Sequence, residues 1–411
     1  MPDSMPAAIS AATPALVALL ALAWAGATDA AAGPCVATAD ARVLDHLTVI
    51  DGTGAAPRPD HSVVIERGRI VAVAPTATLA APAGACRENL RGRWAIPGLI
   101  DMHAHVAFGP VTYRVENGLP SMSLAYDLEA SRAMAGELLR WGVTTIRNPA
   151  GPTAHALALR ADLNAGRVAG PRVYTAGDVI DRIPFEGLNT VAGQPEAVAA
   201  AVDAQVAAGV DFVKLYATLT PPLVRAGVEA ARRSGTPTIL HSWFTDWREA
   251  AELGVTSITH AMPMSANLLP AERRAEFAPH AMTPQAMYRW FEFADLGGAE
   301  MTATYRAMAE RGVIHDPTLV AIESMFFGDQ PQIHANPEIA RVPDSLARDW
   351  RSGFSLTMTW TSEDHARAAA VFPRVLELVR RLHEAGVTLT AGSDLAMPWL
   401  APGSSLHREL E

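Results

Sequence analysis

Lysine and cysteine are the two residue types that this chain nearly lacks. Of its 33 basic residues only Lys214 is a lysine, and all the others are arginines. A buried amine can lose its proton and then act as a nucleophile or as the precursor of a metal ligand, whereas a guanidinium stays protonated. The single lysine therefore indicates a site that requires an amine, and the alternative is chance survival in an arginine-biased composition. The two cysteines, Cys35 and Cys86, are too few for a disulfide scaffold or a zinc knuckle.

The chain also lacks an excess of positive charge. Its formal net charge is -10, which gives no basic surface for a polyanion and makes nucleic acid an improbable partner. With 411 residues, 49% of them hydrophobic and 18% charged, the chain is long and apolar enough to bury a large core. This composition excludes disorder, collagen and coiled coil. It favours one large domain with a smaller one beside it.

An apolar run lies near the N-terminus, at Ala15 to Ala25, and small residues follow it. The run is too short to span a bilayer, and it resembles a secretory signal peptide over residues 1–32, which favours a periplasmic or secreted protein. No basic residue precedes the run, and Asp3 does. An uncleaved anchor, which would bring the protein to a membrane, or a misassigned start in a cytoplasmic protein is the alternative.

Eight apolar runs alternate with helical patterns after Trp94, and five of these runs begin with a Gly-Val pair that follows a helical pattern. A glycine that ends a helix and a valine that begins a strand are typical of βα units. Eight such units predict an α/β fold, a (β/α)8 TIM barrel over residues 94–411, with residues 33–93 as a small β domain. The predicted strands are Ile96–His105, Gly142–Asn148, Pro171–Gly177, Gly209–Tyr216, Pro237–His241, Gly254–His260, Gly312–Leu319 and Gly386–Asp394.

Candidate metal ligands end several of these predicted strands. His103 and His105 end the first, and the period of two in a strand puts both imidazoles on one face. Two unrelated histidines would be the alternative, but other strand ends repeat the theme. Imidazole and carboxylate side chains at one rim suit zinc or another first-row divalent ion. The further candidates are Lys214, His241, His260 and Asp394.

The segment Ile96-Pro97-Gly98-Leu99-Ile100-Asp101-Met102-His103-Ala104-His105 resembles the opening motif of the metal-dependent amidohydrolase superfamily. Phe212-Val213-Lys214-Leu215-Tyr216 and Gly392-Ser393-Asp394 continue the resemblance in the order of that family. The most similar branch is the imidazolonepropionase-related group with dipeptidase-like members. The resemblance covers residues 43–411, and it implies a TIM barrel with a small β-sandwich domain.

The resemblance also implies roles for the rim residues. His103, His105 and Asp394 would hold a buried metal, and His241 and His260 a more exposed one. Lys214, carboxylated by carbon dioxide, would bridge the two ions, which would be zinc, with manganese, cobalt and iron as alternatives. A hydroxide between the ions would attack the scissile carbonyl, and Asp394 would serve as general base and acid. Tyr216 would donate to the oxyanion, or else it fills the core.

The predicted reaction is hydrolysis of an amide, peptide or cyclic-amide C–N bond in a small-molecule substrate. A mononuclear deaminase or imidazolonepropionase-type hydrolase is the first alternative, and a non-catalytic binding protein or an inactive fragment is the second. A homo-oligomer is compatible with the sequence. His241-Ser242-Trp243 and Thr259-His260-Ala261 depart from the family pattern, which leaves the substrate open.

Two further expectations concern the ends of the small domain. The family continues beyond the position of Glu411, so we expect the barrel to be truncated after strand eight and the C-terminal part of the β-sandwich to be missing. If the chain is exported, Cys35 and Cys86 are expected to form a disulfide. Closing a loop of about fifty residues would contribute roughly 3 to 4 kcal/mol in the chain-entropy model. Two buried thiols are the alternative.

Overall fold

The structure, a computed structural model, describes residues 40–116, 119–351, 357 and 359–411. The chain divides into two compact units, the first ending at Pro97 and the second running from Gly98 to Glu411. The predicted leader and Cys35 lie outside the described residues. No helix among the described residues is long and apolar enough to cross a membrane.

The first unit contains one mixed five-stranded sheet. Its order is β3-β2-β1-β4, with β5 also paired to β1. Strands β1, β2 and β3 are antiparallel neighbours, and β4 and β5 run parallel to β1. Strands β2 and β3 form a hairpin whose turn joins Glu66 to Arg69, and the sheet is a single layer, so the β-sandwich stays a prediction. The strands are β1 (Ala41–Val49), β2 (Arg58–Glu66), β3 (Arg69–Pro75), β4 (Cys86–Asn89) and β5 (Trp94–Ala95).

Alternating side chains of β1 build the core of this unit. Every second residue of β1 is buried, and Leu47 and Val49 pack with Val63 of β2. The buried Asp45 carboxylate accepts a hydrogen bond from Ser62 Oγ at 2.6 Å and is held by both ends of the Arg87 guanidinium at 2.8 Å. Cys86 is buried and is not a free thiol, but Cys35 lies outside the described residues, so the pairing of these two cysteines stays a prediction.

The second unit has two parallel sheets and one antiparallel hairpin. One sheet has the order β10-β9-β6 and the other the order β12-β11-β13-β14-β15-β16-β17, and β7 pairs with β8. These strands are β6 (Leu99–Asp101), β7 (Val111–Glu116), β8 (Leu119–Leu124), β9 (Val143–Asn148), β10 (Arg172–Thr175), β11 (Val179–Asp181), β12 (Asn189–Val191), β13 (Val213–Leu215), β14 (Thr238–His241), β15 (Ser257–Thr259), β16 (Ile314–Asp316) and β17 (Thr388–Leu389).

Helices follow most of these strands. They are α1 (Leu128–Arg140), α2 (Thr153–Asn164), α3 (Pro195–Ala208), α4 (Pro221–Arg233), α5 (Trp247–Leu253), α6 (Arg274–Phe277), α7 (Ala286–Phe293), α8 (Ala299–Glu310), α9 (Leu319–Phe326), α10 (Pro331–His334), α11 (Asp344–Arg351), α12 (Ser362–Glu384) and α13 (Ser404–Glu409). Short 3₁₀ helices lie at Ala266–Leu268, Ala271–Arg273, Ala278–His280 and Pro337–Arg341.

Local signals explain where several helices begin and end. Asp246 caps α5 and forms a capping box with Glu249, and Thr361 caps α12 in the same way with Asp364. The glycines of the predicted Gly-Val pairs all have positive φ, which confirms that they end helices. These glycines are Gly142, Gly209, Gly254, Gly312 and Gly386.

Each of the eight predicted strands contains an observed strand, but the observed strands are shorter. The third predicted strand contains β10, which pairs with β9; β11 begins four residues after β10, beyond the predicted strand, and pairs with β13. Hydrogen bonds also join the segment after β6 to the segment after β17, from Met102 N to Ala391 O and from His105 N to Leu395 O. The described part of the second unit is therefore a mixed α/β structure with parallel sheets.

Candidate metal centre

The predicted ligands lie at or just beyond the carboxyl ends of neighbouring parallel strands. His103 and His105 follow β6, Lys214 lies within β13, and His241 is the last residue of β14. His260 directly follows β15, and Asp394 follows β17. All six residues line one cavity.

Three of the predicted ligands form a tight group. Asp394 Oδ1 lies 3.3 Å from His103 Nε2 and 3.2 Å from His105 Nε2. One ligand atom of each residue lies within 4.8 Å of those of the other two, and all three residues are buried. Two imidazoles and a carboxylate at these separations can chelate a divalent ion.

His260 and His241 extend this group. His260 Nδ1 lies 3.8 Å from Asp394 Oδ2, and the ring centre of His260 is 4.9 Å from that of His103. The ring centre of His241 lies 4.6 Å from that of His260. His241 therefore lies beside His260 at the rim and does not belong to the close group of His103, His105 and Asp394.

Asp316 and Arg147, which were not predicted as site residues from the sequence, hold the side chain of the predicted ligand His103 in place. Asp316 is the last residue of β16, and its Oδ2 accepts a hydrogen bond from His103 Nδ1 at 2.7 Å. Arg147 Nη2 lies 3.0 Å from the same oxygen, and Arg147 Nε donates to Met102 O. A carboxylate that holds the Nδ1 of an imidazole leaves Nε2 free for a metal and fixes the orientation of the ring.

Asp101 and Ser393 tie the first and last strand segments together. Asp101 Oδ1 accepts hydrogen bonds from His103 N at 2.9 Å and from Ser393 N at 3.0 Å, and Ser393 Oγ donates to Asp101 Oδ2. Burial raises the pKa of the Asp101 carboxyl to about 7 in spite of these donors. The backbone segments that carry His103 and Asp394 are thus held by one side chain.

Two of the predicted ligands have positive φ angles, which residues other than glycine rarely adopt. The φ of His260 is 66° and that of Asp394 is 56°, and Thr318, which hydrogen-bonds His260 Nδ1 at 2.8 Å, has a φ of 49°. Such conformations cost on the order of 1 to 3 kcal/mol each and cluster at functional sites. The surrounding contacts must therefore hold these residues in place.

Lys214 is buried, with 1% of its surface exposed. Its Nζ donates to Thr259 Oγ1 at 3.1 Å. Burial, together with the positive charge of Arg147, lowers the pKa of the Lys214 amine to about 7. A substantial fraction of this amine is therefore unprotonated near neutral pH, which is the reactive form.

Burial also favours the neutral forms of His103, His241 and His260. It lowers the pKa of His241 to about 3 and the pKa values of His103 and His260 well below the usual range. Burial alone would raise the pKa of Asp394, but the neighbouring His103 and His105 outweigh it and lower the pKa. Neutral imidazoles and an ionised carboxylate are the forms that bind metals, so the residues present fit a metal site.

Tyr216 follows Lys214 by two residues and lines the same cavity. Its ring centre lies 4.8 Å from that of His241. Burial raises the pKa of the phenol, so the hydroxyl stays protonated and can donate a hydrogen bond. The position is compatible with the predicted contact to a developing oxyanion.

The cavity at the rim has a volume of about 290 Å³. The segment between Met262 and Gly298, which follows β15, contributes Met262, Met264 and Met287 to its wall. Trp243 Nε1 donates to Ala281 O at 3.2 Å and so connects the loop after β14 to this insertion.

The nine histidines other than the four predicted ligands do not line the cavity. His315 is buried in β16, and its ring centre lies 4.7 Å from that of Trp247. The other eight are His46, His61, His155, His280, His334, His365, His383 and His407.

Parallel strands with histidines and a carboxylate at their carboxyl ends are typical of metal-dependent hydrolases. Residues 94–406 match the model of the amidohydrolase family, and the chain belongs to this family. The match confirms the family predicted from the segment Ile96–His105, and it implies a TIM-barrel-type fold. Members of the family are hydrolytic enzymes that act on C–N bonds and generally depend on a metal.

Individual relatives agree with this assignment. The chain is 32% identical over 227 residues to the imidazolonepropionase of Methylobacterium nodulans, a match that covers 44% of this chain and about half, 54%, of that relative. Bottromycin amidohydrolase has a similar fold, with a TM-score of 0.64, 22% identity and coverage of 90% of this chain and 72% of that chain. A Xaa-Pro dipeptidase with bound methionine has a TM-score of 0.59, with 20% identity and coverage of 90% and 84%.

Proposed function

We propose that this protein is a binuclear metal-dependent hydrolase that cleaves an amide, peptide or cyclic-amide C–N bond of a small molecule. The observation that carries the proposal is the buried group of His103, His105 and Asp394, whose ligand atoms lie within 4.8 Å of one another in a cavity that also contains Lys214. The family membership supports the same reaction class.

The ligand sets follow the positions at the rim. His103, His105 and Asp394 would hold one ion, and His241 and His260 the other. Lys214, once its amine has added carbon dioxide and released a proton to become a carbamate, would bridge both. The depressed pKa of its amine favours this addition. Two divalent ions, zinc first and manganese, cobalt or iron as alternatives, would supply a nucleophile from water at neutral pH and polarise the scissile carbonyl.

The protein side chains would move the protons and orient the substrate. Asp394 accepts the proton of the attacking water and returns it to the leaving amine. The Tyr216 hydroxyl donates a hydrogen bond to the oxygen of the tetrahedral intermediate. Asp316 keeps the His103 ring in one orientation. The products are one carboxylic acid and one amine.

Metal content and turnover test the proposal together. Protein purified with added Zn²⁺ and bicarbonate is expected to contain two metal ions per chain and to hydrolyse some member of a panel of amides, dipeptides and cyclic amides. Removing the ions with a chelator should abolish turnover, and adding them back should restore it. Metal-loaded protein that hydrolyses no member of the panel would contradict the proposed reaction.

A mononuclear deaminase or imidazolonepropionase-type hydrolase is the second candidate. The observation that favours it is that His103, His105 and Asp394 form the only group of at least three close histidine, cysteine or acidic ligands within the described part of the chain. One metal ion per chain, unchanged when bicarbonate is supplied, would decide for this candidate.

We further propose that the barrel is closed, that the small domain is a β-sandwich and that the protein is exported, as the sequence predicts. The hydrogen bonds between the segments after β6 and β17 support a closed eight-stranded barrel over residues 94–411. Residues 33–93 would belong to a β-sandwich, and residues 1–32 would direct export to the periplasm or the medium. Protease protection of the mature protein in fractionated cells would test the location.

A further inference from the structure

Outside the ligand rim, much of the cavity wall consists of methionine and aromatic side chains. Five of the 14 methionines of the chain line it, and they come from four separate segments. Methionine side chains are flexible and polarizable, so they adapt to apolar groups of different shape. These methionines are Met262, Met264, Met287, Met325 and Met397.

Aromatic side chains complete this wall. Phe108, Phe185 and Trp243 line the cavity, and Phe108 stacks on His105 with ring centres 4.2 Å apart. The apolar surface therefore begins directly beside a predicted ligand. A substrate whose carbonyl lies at the rim must place its substituents against methionine and aromatic carbon.

Cationic side chains are scarce at this cavity. Among the described residues that line it there is no arginine, and the one lysine is Lys214, which is buried at the rim and bonded to Thr259. The lining carboxylates are Asp394 and Glu186. Apart from the proposed metal ions at the rim, a substrate carboxylate would thus meet two acidic groups and no free cationic side chain among the described lining residues, and burying an unpaired carboxylate is costly.

Two arginines that contact residues at or beside the cavity already have other partners. Arg147 is buried among Met102 O, Ser257 Oγ and Asp316. Arg182 donates from Nε to Thr218 O at 2.8 Å, and its guanidinium lies 4.8 Å from the ring centre of Phe244. Neither arginine lines the cavity.

We propose that the substrate is an uncharged amide with apolar groups on both sides of the scissile C–N bond, and not a dipeptide or an N-acyl amino acid with a free carboxylate. This inference rests on the proposed function and narrows its substrate class. Water adds to the carbonyl, the C–N bond breaks, and an apolar carboxylic acid and an apolar amine leave. The apolar wall favours the neutral forms of both products until these are released to water.

A matched pair of substrates tests the inference. N-isobutyl phenylacetamide and N-phenylacetyl-valine have the same acyl group and the same carbon skeleton around nitrogen, and only the second has a carboxylate. The full chain, loaded with Zn²⁺ in the presence of bicarbonate, is expected to show a kcat/KM at least tenfold higher for the neutral amide. An equal or higher kcat/KM for N-phenylacetyl-valine would overturn the inference and leave the proposed reaction intact.

A binding measurement separates failure of the inference from failure of the reaction. The two ligands are N-isobutyl phenylmethanesulfonamide and N-(benzylsulfonyl)-valine, which are not amides of a carboxylic acid. Calorimetry is expected to show at least tenfold tighter binding of the neutral sulfonamide. If this preference is observed but neither amide is hydrolysed, the inference stands and the proposed reaction fails. A preference for the carboxylate would overturn the inference whatever the turnover.

Two substitutions place a cation in the apolar wall. Met287→Arg on α7 and Met325→Arg on α9 are each expected to shift the ratio of kcat/KM values toward N-phenylacetyl-valine by at least tenfold. The control is Met282→Arg, because Met282 belongs to the same insertion but is 63% exposed and does not line the cavity. Thermal unfolding identifies any variant that fails to fold. An unchanged ratio in a folded Met287 or Met325 variant would overturn the inference.

Discussion

His103 and Asp316 lie 213 residues apart in the chain, and their side chains meet at 2.7 Å in the interior. Both are fully buried, and the same Asp316 oxygen also faces the Arg147 guanidinium at 3.0 Å. The imidazole is thereby fixed with Nε2 directed toward Asp394, 3.3 Å away. The strand that carries Asp316 contributes no predicted ligand, but it determines the orientation of one.

The first prediction follows from this contact. Asp316→Asn is expected to lower the affinity of the site for Zn²⁺ about 10- to 100-fold, because the amide holds the His103 ring less firmly than the carboxylate does. Competition with a chromophoric chelator measures the affinity. Asp344→Asn is the control, because the side chain of Asp344 is 90% exposed and bonded only to Arg351 in the described structure. Wild-type affinity in the Asp316 variant would assign this carboxylate to stability alone.

The sequence could predict the rim because the ligands obey local rules. His103 and His105 are two apart, and His241 and His260 each end an apolar run, so strand periodicity alone places them at one edge. Asp316 has no such signal. It was overlooked because the predicted strand Gly312–Leu319 extends three residues past the end of the observed strand, Ile314–Asp316, which hides that Asp316 is itself a strand end.

The second prediction concerns the only lysine. Lys214→Arg is expected to abolish turnover and to reduce the metal content from two ions per chain to one or none, because an arginine cannot form the carbamate although it keeps the positive charge. Atomic emission on gel-filtered protein measures the metal content. Two ions retained in this variant would refute the bridging role.

A matched pair of variants strengthens the test at position 214. Lys214→Glu supplies a carboxylate directly and is expected to retain part of the metal content. Lys214→Ala leaves space, so added acetate or propionate is expected to restore part of the activity. A structural role for the buried amine, which donates to Thr259 Oγ1, would show no dependence on added carboxylate.

The third prediction separates proton transfer from metal binding. Asp394→Asn is expected to bind at least one metal ion but to lose turnover on the order of 10²-fold or more, because the amide cannot accept the proton of the attacking water. The rate is divided by the metal content of each preparation. Near-normal turnover in a metal-replete variant would limit Asp394 to a structural role.

The sequence patterns did not predict several short strands of the fold. Strands β11 and β12 contain three residues each, too few for a periodic signal, and were not predicted. The antiparallel pair β7–β8 also went unpredicted, because it lies between β6 and α1, where the βα pattern provides for a loop. Tertiary contacts, such as that of Asp101 with Ser393, define the ends of these elements more than propensity does.

The last prediction tests how closely the ligand segments are packed. Gly392 precedes Ser393 and Asp394, and a Cβ at this position would lie 2.3 Å from Asp316 Oδ1 and 2.7 Å from His103 Cβ. Gly392→Ala must therefore displace either the ligand His103 or the carboxylate that orients it. We expect a loss of about 1 to 3 kcal/mol in the free energy of unfolding, together with weaker Zn²⁺ binding.

Gly136→Ala is the matched control for this variant. Gly136 lies within α1, and a Cβ there would have no neighbour within 4 Å, so the substitution is expected to stabilise the protein by about 0.5 to 1 kcal/mol. Urea unfolding and chelator competition on both variants provide the comparison. Both substitutions add one methyl group. A difference between their free energies of unfolding, beyond the gain expected for alanine in a helix, therefore reflects the space around each position. If Gly392→Ala were as stable as Gly136→Ala and bound Zn²⁺ normally, the close contact between the Gly392 backbone, His103 and Asp316 would have no part in holding the site.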